Sequence, residues 1–437
     1  MTFENEILKI ITDDFEKYEK DFRIINDKIK ESDLNYNGRC VQTLAVPKII
    51  SSKLYAHIAD FIDNCFSLFN KIIKQYLTNP NYRKLFDFSP ELEELILLSD
   101  PEKCLIPMAR VDFFLNEENF DIMLCEINTD GTSAMNEDRI LGELLQYNHA
   151  FQFYTQNKSY EQFELFDSWV CEFLEIYKTS SGDNSTPRIV IADFLDKSTL
   201  NEFKQFRKAF LNRGIQAEIC DIRKLTYENN ILKTPDGLTV DAIYRRAVTV
   251  DIMSNYKDVL PFINAVKDGS VYLIGEFCTQ IIHNKQIFHT LFHPDTLSFL
   301  TKKEIDFVKK HFPATYVLCG VSVKENHVIS QKDNWLIKPF DSYGSKGVYA
   351  GVNYSDKDWS ELVLSNIGND YLLQRFTKPY KTPNIDFSED FPSVKNYSNI
   401  TGVFCYNEKP YGIYSRLAKG EIISSQYDEK TIATILI

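Results

Sequence analysis

Two short segments carry residues able to hold a metal-bound phosphate. Arg110 and Asp112 alternate within RVDFF, and Glu126 and Asn128 alternate within CEIN. Side chains two apart on a strand share a face. The polar run Asn116-Glu117-Glu118-Asn119 fits a hairpin loop between the two segments. Such a hairpin gathers a guanidinium, two carboxylates and an amide on one surface. All-oxygen donors beside an arginine suit Mg²⁺ whose remaining ligands are phosphate oxygens. The same four residues would also make an ion-paired sheet face in solvent, and taken alone they leave both readings open. The following run, Thr129 to Ser133, is small and polar and leads into a helix. Its backbone N–H groups could receive a carboxylate or phosphate. Ser133 could equally be a simple cap, with Asn136 and Glu137 close by.

A second set lies far downstream. Lys338 sits inside the apolar strand NWLIKPF. A lysine there is usually at an edge or against an anion. Directly after it comes Asp341-Ser342-Tyr343-Gly344-Ser345-Lys346-Gly347. Two glycines three apart let a loop close its backbone over phosphates, although the Gly-Lys-Ser/Thr ending of a Walker A loop is absent. Lys285 stands at a helix start, Gln374 at a strand end, and Arg416 near the end of a strand after the turn Asn407 to Pro410. Taken singly, each of these reads as a surface residue. His289 and His293 have helical spacing but lack the protease glutamate, and Pro294 ends the helix; they read as non-metal residues. Arg245 and Arg246 close an apolar strand and could face a substrate.

The elements that must position these residues fall into four stretches. Residues 1–104 read as a helical region, with Ile7, Ile10, Ile11 and Phe15 at helical spacing and the same pattern from Lys53 to Tyr76. Residues 105–185 hold the hairpin, strands 105–115 and 121–128, followed by helices from about 137 and over 159–178. A soft polar stretch, Thr179 to Pro187, makes the clearest boundary. Residues 186–270 alternate strand 188–193, helix 197–213, strand 216–221 and strand 240–246. That order predicts a small α/β subdomain with a mostly parallel sheet. Residues 271–437 begin with a strand at 271–275 and helices from about 285 and 302. Strands at 334–340, 347–352, 370–376, 400–406 and 410–417 follow, with a helix at 356–366 among them.

The segments RVDFFL and CEINTDGTSAMNE, then NKQIF, WLIKPFDSYGSKGV, YLLQRF and ITGVFCYNEKPYGIYSRL, resemble in type and order the glutathionylspermidine synthase family and its trypanothione synthetase relatives. The matches run from Arg110 to Arg416. The resemblance implies a circularly permuted ATP-grasp fold of the α/β (α+β) class. Residues 105–185 would be its metal-binding part, 186–270 its pre-ATP-grasp subdomain and 271–437 its nucleotide-binding part. It implies ATP and Mg²⁺ as cofactors, with Asp112, Glu126 and Asn128 as metal ligands and Arg110 at the transferred phosphate. Lys285 and Lys338 would hold the ATP phosphates, Gly344, Ser345, Lys346 and Gly347 would form the mobile phosphate loop, and Gln374 would lie near the adenine. Arg416 would stand near the acyl phosphate. Glutathione-using members follow the metal-binding asparagine with Ala-Asp-Ser-x-Ser-Cys, whereas this chain has Thr129-Asp130-Gly131-Thr132-Ser133-Ala134. The resemblance therefore carries the phosphate chemistry and not the substrates. No stretch of the sequence reads as the N-terminal amidase domain of bifunctional members, and a ligase part alone is expected.

The implied activity is an ATP-dependent carboxylate–amine ligase working through an acyl phosphate. A catalytically silent nucleotide-binding regulator and a phosphotransferase on the same scaffold are the alternatives. The acid could be a peptide, an amino acid or a protein-borne acid, and the amine a polyamine or an amino acid. A net charge of −13 and no basic cluster argue against a nucleic-acid partner. Nine cysteines without a Cys-x-x-Cys pair argue against a disulfide framework or a zinc knuckle. No signal peptide and no apolar run of membrane-spanning length are read in the sequence, and a cytoplasmic location is expected.

Overall fold

The longest apolar stripe in the chain organises the main core. Ser51 accepts the Leu54 N–H through its hydroxyl at 3.2 Å, and one helix runs from Ser52 to Thr78. Its buried face, which includes Leu54, Ile58, Phe61, Phe66 and Phe69, lies against a six-stranded antiparallel sheet. Phe61 meets Phe113 of that sheet edge-on, with ring centroids 5.4 Å apart. Burying each such side chain stabilises the fold by about 1.5–3 kcal/mol. The computed structural model describes residues 3–36, 39–182, 185–196, 200–342, 344–424 and 428–437, the side chains at 35, 36 and 39 excepted.

The central sheet runs in the order Lys430–Ile432, Lys409–Ala418, Val394–Tyr406, Met108–Asn116 and Asp121–Asn128, with Lys381–Ile385 also paired to Val394–Tyr406. The early hairpin is thus continued by strands from the end of the chain. Period-2 alternation sends Ala109, Val111, Phe113 and Leu115 into the main core. The opposite face carries the polar residues of the hairpin.

Among the described residues, three further sheets have three or four strands. The four strands Tyr272–Ile274, Ala242–Arg245, Ile189–Asp193 and Ala217–Asp221 are all parallel; the alternation predicts the last three, and Tyr272–Ile274, expected in the next stretch, pairs with Ala242–Arg245. An antiparallel sheet is ordered Thr315–Val317, Tyr371–Arg375, Trp335–Pro339, Tyr349–Ala350. Its apolar face packs Trp335, Ile337 and Leu373 on Trp359 and Val363 of the helix Asp356–Asn366. The third sheet joins Lys48–Ile50, Thr434–Leu436 and Glu161–Gln162. It ties the N-terminal helices Phe3–Asp13 and Phe15–Glu31 to the far end of the chain.

Two elements differ from expectation for visible reasons. The helix expected over 159–178 runs from Asp167 to Ser181. Glu161 and Gln162 are drawn into the third sheet, and the Glu164 carboxylate accepts the N–H groups of Phe166, Asp167 and Ser168 at 2.9, 2.8 and 2.8 Å, fixing the start. The strand expected over 347–352 is only Tyr349–Ala350 and turns at once into Gly351–Asn353. Residues 197–199 of the helix expected over 197–213, residues 183–184 of the expected boundary, and Tyr343 of the glycine loop lie outside the described residues; the helix itself is Leu200–Asn212. A Cβ at Gly351 would lie 2.1 Å from the Lys332 carbonyl oxygen. Gly351→Ala should therefore lower stability by about 3 kcal/mol through overpacking against backbone, read as a drop in thermal midpoint.

All nine cysteines are unpaired. No helix among the described residues is long and apolar enough to cross a membrane.

Candidate active site

The hairpin register sets Arg110 opposite Asn128 and Asp112 opposite Glu126, so the four polar residues share one face. Arg110 donates to Asp112 through Nε at 2.7 Å and Nη2 at 3.0 Å, a forked pair. Its Nη1 donates to the Ser133 carbonyl at 2.8 Å. Arg416 reaches the same carboxylate from a strand 304 residues away, with Nη2 at 2.8 Å from Oδ2. Asn128 donates to that oxygen at 3.2 Å. Asp112 is fully buried. Burial pushes its carboxyl up from the ordinary value, and the guanidiniums of Arg110 and Arg416 pull it back.

Glu126 behaves differently. Burial alone would raise its pKa, but Lys285, Arg416, Arg110 and Lys338 together hold it down at about 2. Among the described residues it has no ion pair within salt-bridge distance and one hydrogen bond, from Asn128, long at 3.5 Å. An ionised carboxylate facing four cations without a direct partner is suited to bind a small hard cation.

Lys338 lies on the strand Trp335–Pro339 and Lys285 directly before the helix Gln286–Thr290. The Lys285 backbone N–H donates to the Phe340 carbonyl at 2.8 Å and its Nζ to the Ser342 carbonyl at 2.6 Å. The glycine loop is thus fastened to the lysine at its root. Lys338 extends from Trp335–Pro339 over the Phe288 ring, with Nζ 4.2 Å from the centroid. Gln374 is two cross-strand positions along the same face, paired opposite Leu336, and donates to the Thr315 hydroxyl at 2.8 Å. In the loop, Gly344, Ser345 and Gly347 all have positive φ, at 63°, 56° and 73°. Gly344 and Lys346 are exposed, and Ser345 and Gly347 are half-buried.

The helix that follows residues 129–133 does not present free N–H groups at its first two residues. The helix Met135–Leu144 is entered through Ala134 at φ 86°, and Glu202 accepts the N–H groups of Met135 and Asn136 at 2.9 and 3.4 Å. That helix start is already capped by a carboxylate. Arg245 and Arg246 are likewise engaged inside the protein, with Asp130 at 2.5 Å and Glu202 at 2.8 Å. His289 faces the Thr315 carbonyl and His293 caps the helix Pro294–Phe299. Among the described residues no cluster of three or more His, Cys, Asp or Glu side chains is placed to hold a metal. Any metal at the hairpin would rest on two carboxylates and the Asn128 amide.

Three residues of this face escaped the sequence reading. Gly402 pairs directly with Asp112, and a Cβ there would lie 2.6 Å from Asp112 Oδ1 and 2.9 Å from Arg110 Cδ. Tyr414 pairs with Gly402, so Tyr414, Gly402, Asp112 and Glu126 form one row across four strands. The Tyr414 hydroxyl donates to Glu137 Oε2 at 2.5 Å. Burial raises the Glu137 carboxyl to about 7; the Tyr414 hydrogen bond and Arg110 oppose this, and Glu429 and Glu202 reinforce it. Tyr414 lies two residues before Arg416, so strand alternation was the available signal.

No family model matches this chain, and neither does any curated protein. Among solved structures it is similar to a glutathione synthetase-like effector from Globodera pallida in its apo form, at TM-score 0.62 and 12% identity, over 96% of this chain and 97% of that one. A D-cycloserine synthetase matches 56% of this chain and 90% of its own at 11% identity, but at TM-score 0.29, too low to argue from. The first likeness is one of fold over the whole chain. The protein is a mixed α/β chain that shares its fold with this effector.

Proposed function

We propose that this chain is an ATP-dependent carboxylate–amine ligase that activates an acid as an acyl phosphate and releases ADP and phosphate. The observation that carries the reading is the hairpin face that sets Asp112, Glu126 and Asn128 together with Arg110 and Arg416 on the Asp112 carboxylate, with Lys285 and Lys338 adding to the positive field at Glu126. Phosphoryl transfer needs charge neutralisation and positioning more than a protein nucleophile, and this face supplies both. Glu126, Asp112 and Asn128 would hold Mg²⁺, which would neutralise charge on the phosphate oxygens. Lys285 and Lys338 would hold the nucleotide phosphates, and the loop from Gly344 to Gly347 would cover them. Gln374 would lie near the adenine. Arg110 and Arg416 would stabilise the transferred phosphoryl group and the acyl phosphate. The glutathionylspermidine synthase-like assignment and the circular permutation rest on the motifs.

The test is release of ADP and phosphate from Mg-ATP with pooled amino acids, short peptides and polyamines, with Asp112→Ala and Lys338→Ala as controls. Release that needs both an acid and an amine and disappears in both variants supports the ligase. The fold neighbour's name calls it an effector, which favours one second reading, a nucleotide binder without turnover. Tight Mg-ATP binding with no ADP from any pool would select that reading. Acid phosphorylation without need of an amine would instead select a phosphotransferase.

The site also predicts a pH dependence. Burial holds Lys338 down at about 8; Lys285 adds to the effect, and Cys125 and Glu126 oppose it. A bound phosphate raises the lysine again, so the complex holds the proton more tightly than the free protein. Affinity for ATP should be full below about pH 8 and fall by about tenfold per unit as pH rises above it, until the bound-state value is reached. Calorimetry in buffers of different ionisation enthalpy should show proton uptake at pH 8–9. Lys338→Arg should abolish that uptake.

A further inference from the structure

A ligase of this kind must dispose of a proton. The amine nitrogen bears one more hydrogen than the amide it becomes. Most carboxylates around the hairpin are poor acceptors because each already serves a cation or a cap. Asp112 pairs with Arg110 and Arg416, Glu429 with Arg416 at 3.3 Å, and Asp130 with Arg245. Glu202 pairs with Arg246 and caps a helix. Glu126 is held strongly ionised. Asp138 is buried out of reach.

Glu137 is the exception. It stands in the first turn of Met135–Leu144, nine residues after Asn128, and is only half-buried. Tyr414 at 2.5 Å and Thr431 at 3.4 Å both donate to Oε2, while Oε1 accepts no hydrogen bond among the described residues. The Tyr414 ring faces the guanidiniums of Arg110 and Arg416 at 5.5 and 5.8 Å. Glu137 is therefore one side chain away from the two arginines that the ligase reading puts at the reacting phosphate. The charged groups around it are Arg110 from the hairpin, Glu429 and Arg416 from the C-terminal strands, Glu202 from Leu200–Asn212, and Asp138 beside it.

We infer that Glu137 accepts the proton of the attacking amine, and that Tyr414 is the positioning residue that aims its carboxylate. The inference rests on the ligase reading. The neutral amine nitrogen attacks the acyl carbon, the C–N bond forms, and the C–O bond to phosphate breaks, its electron pair leaving with phosphate. The nitrogen's proton passes to Glu137 and from there to the departing phosphate, which leaves as HPO₄²⁻. Glu137 returns as carboxylate, and no other reactant is required.

The experiment compares two nucleophiles on wild type, Glu137→Gln and Tyr414→Phe, using an acid that gives ADP release in the screen. Hydroxylamine is neutral at pH 7 and traps an acyl phosphate as a hydroxamate with little need of a base. Glu137→Gln should keep hydroxamate formation within about threefold and lose amide formation by about a hundredfold. Wild-type amide formation should fall on the acid side with a half-point near pH 7. Tyr414→Phe should move that half-point upward, since the phenol hydrogen bond holds the carboxyl down. Equal loss of hydroxamate and amide in Glu137→Gln would mean a structural role and overturn the assignment, as would unchanged amide formation. A wild type that forms no hydroxamate from any acid would overturn the ligase reading, and this inference with it.

Discussion

Replacing Asp112 with leucine should destabilise the protein by about 3–5 kcal/mol and abolish any Mg-dependent binding of ATP. The carboxylate is fully buried and is the shared counter-ion of two arginines. Without it, Arg416 keeps Glu429 at 3.3 Å, but among the described residues Arg110 keeps the Ser133 carbonyl as its one hydrogen-bond partner and no counter-charge. A buried guanidinium without a counter-charge accounts for the larger part of the loss. Removing both partners should therefore be cheaper than removing one. Arg110→Met with Asp112→Leu should recover about 1–2 kcal/mol of the stability lost in Asp112→Leu alone, without restoring nucleotide binding. Chemical denaturation gives the first quantity and calorimetry with Mg-ATP the second. A double variant less stable than Asp112→Leu would show that Arg110 contributes packing rather than a stranded charge.

What could be read from the sequence was local. Alternation alone put Arg110, Asp112, Glu126 and Asn128 on one face, because period 2 is a property of each strand by itself. The helix over 356–366 has the expected bounds, since Ser355 caps it and accepts the Asp358 N–H at 3.2 Å. The parallel sheet followed from alternation of strand and helix. What failed was decided by distant partners. Glu161 and Gln162 look helical until Thr434–Leu436 claims them. The start of the helix Met135–Leu144 looks open in sequence until Glu202 caps it. Glu137 reads from sequence as an ordinary first-turn acid; its character comes from Tyr414, 277 residues away. The row Tyr414–Gly402–Asp112–Glu126 exists only once the register between the hairpin and the C-terminal strands is known.

Gly402→Val should cost the site as much as loss of a ligand, although Gly402 carries no functional group. Its place in the row is directly between Tyr414 and Asp112. The Arg110 side chain folds across that gap, with Cδ 2.9 Å and Cγ 3.2 Å from where a Cβ would stand. Asp112 Oδ1 is closer still, at 2.6 Å. Backbone pairing on both sides fixes the strand, so the side chains must move instead. Displacing Arg110 breaks its fork on Asp112 and turns the guanidinium away from Tyr414. We expect a stability loss of about 1–3 kcal/mol from overpacking and a fall in ATP turnover of at least a hundredfold, since positioned charge carries the proposed phosphoryl transfer. Gly402→Ala should give the same effects in reduced form. Thermal melts and ADP release together are decisive: a stable Gly402→Val protein with normal turnover would mean that the Arg110–Asp112 fork plays no part in the chemistry.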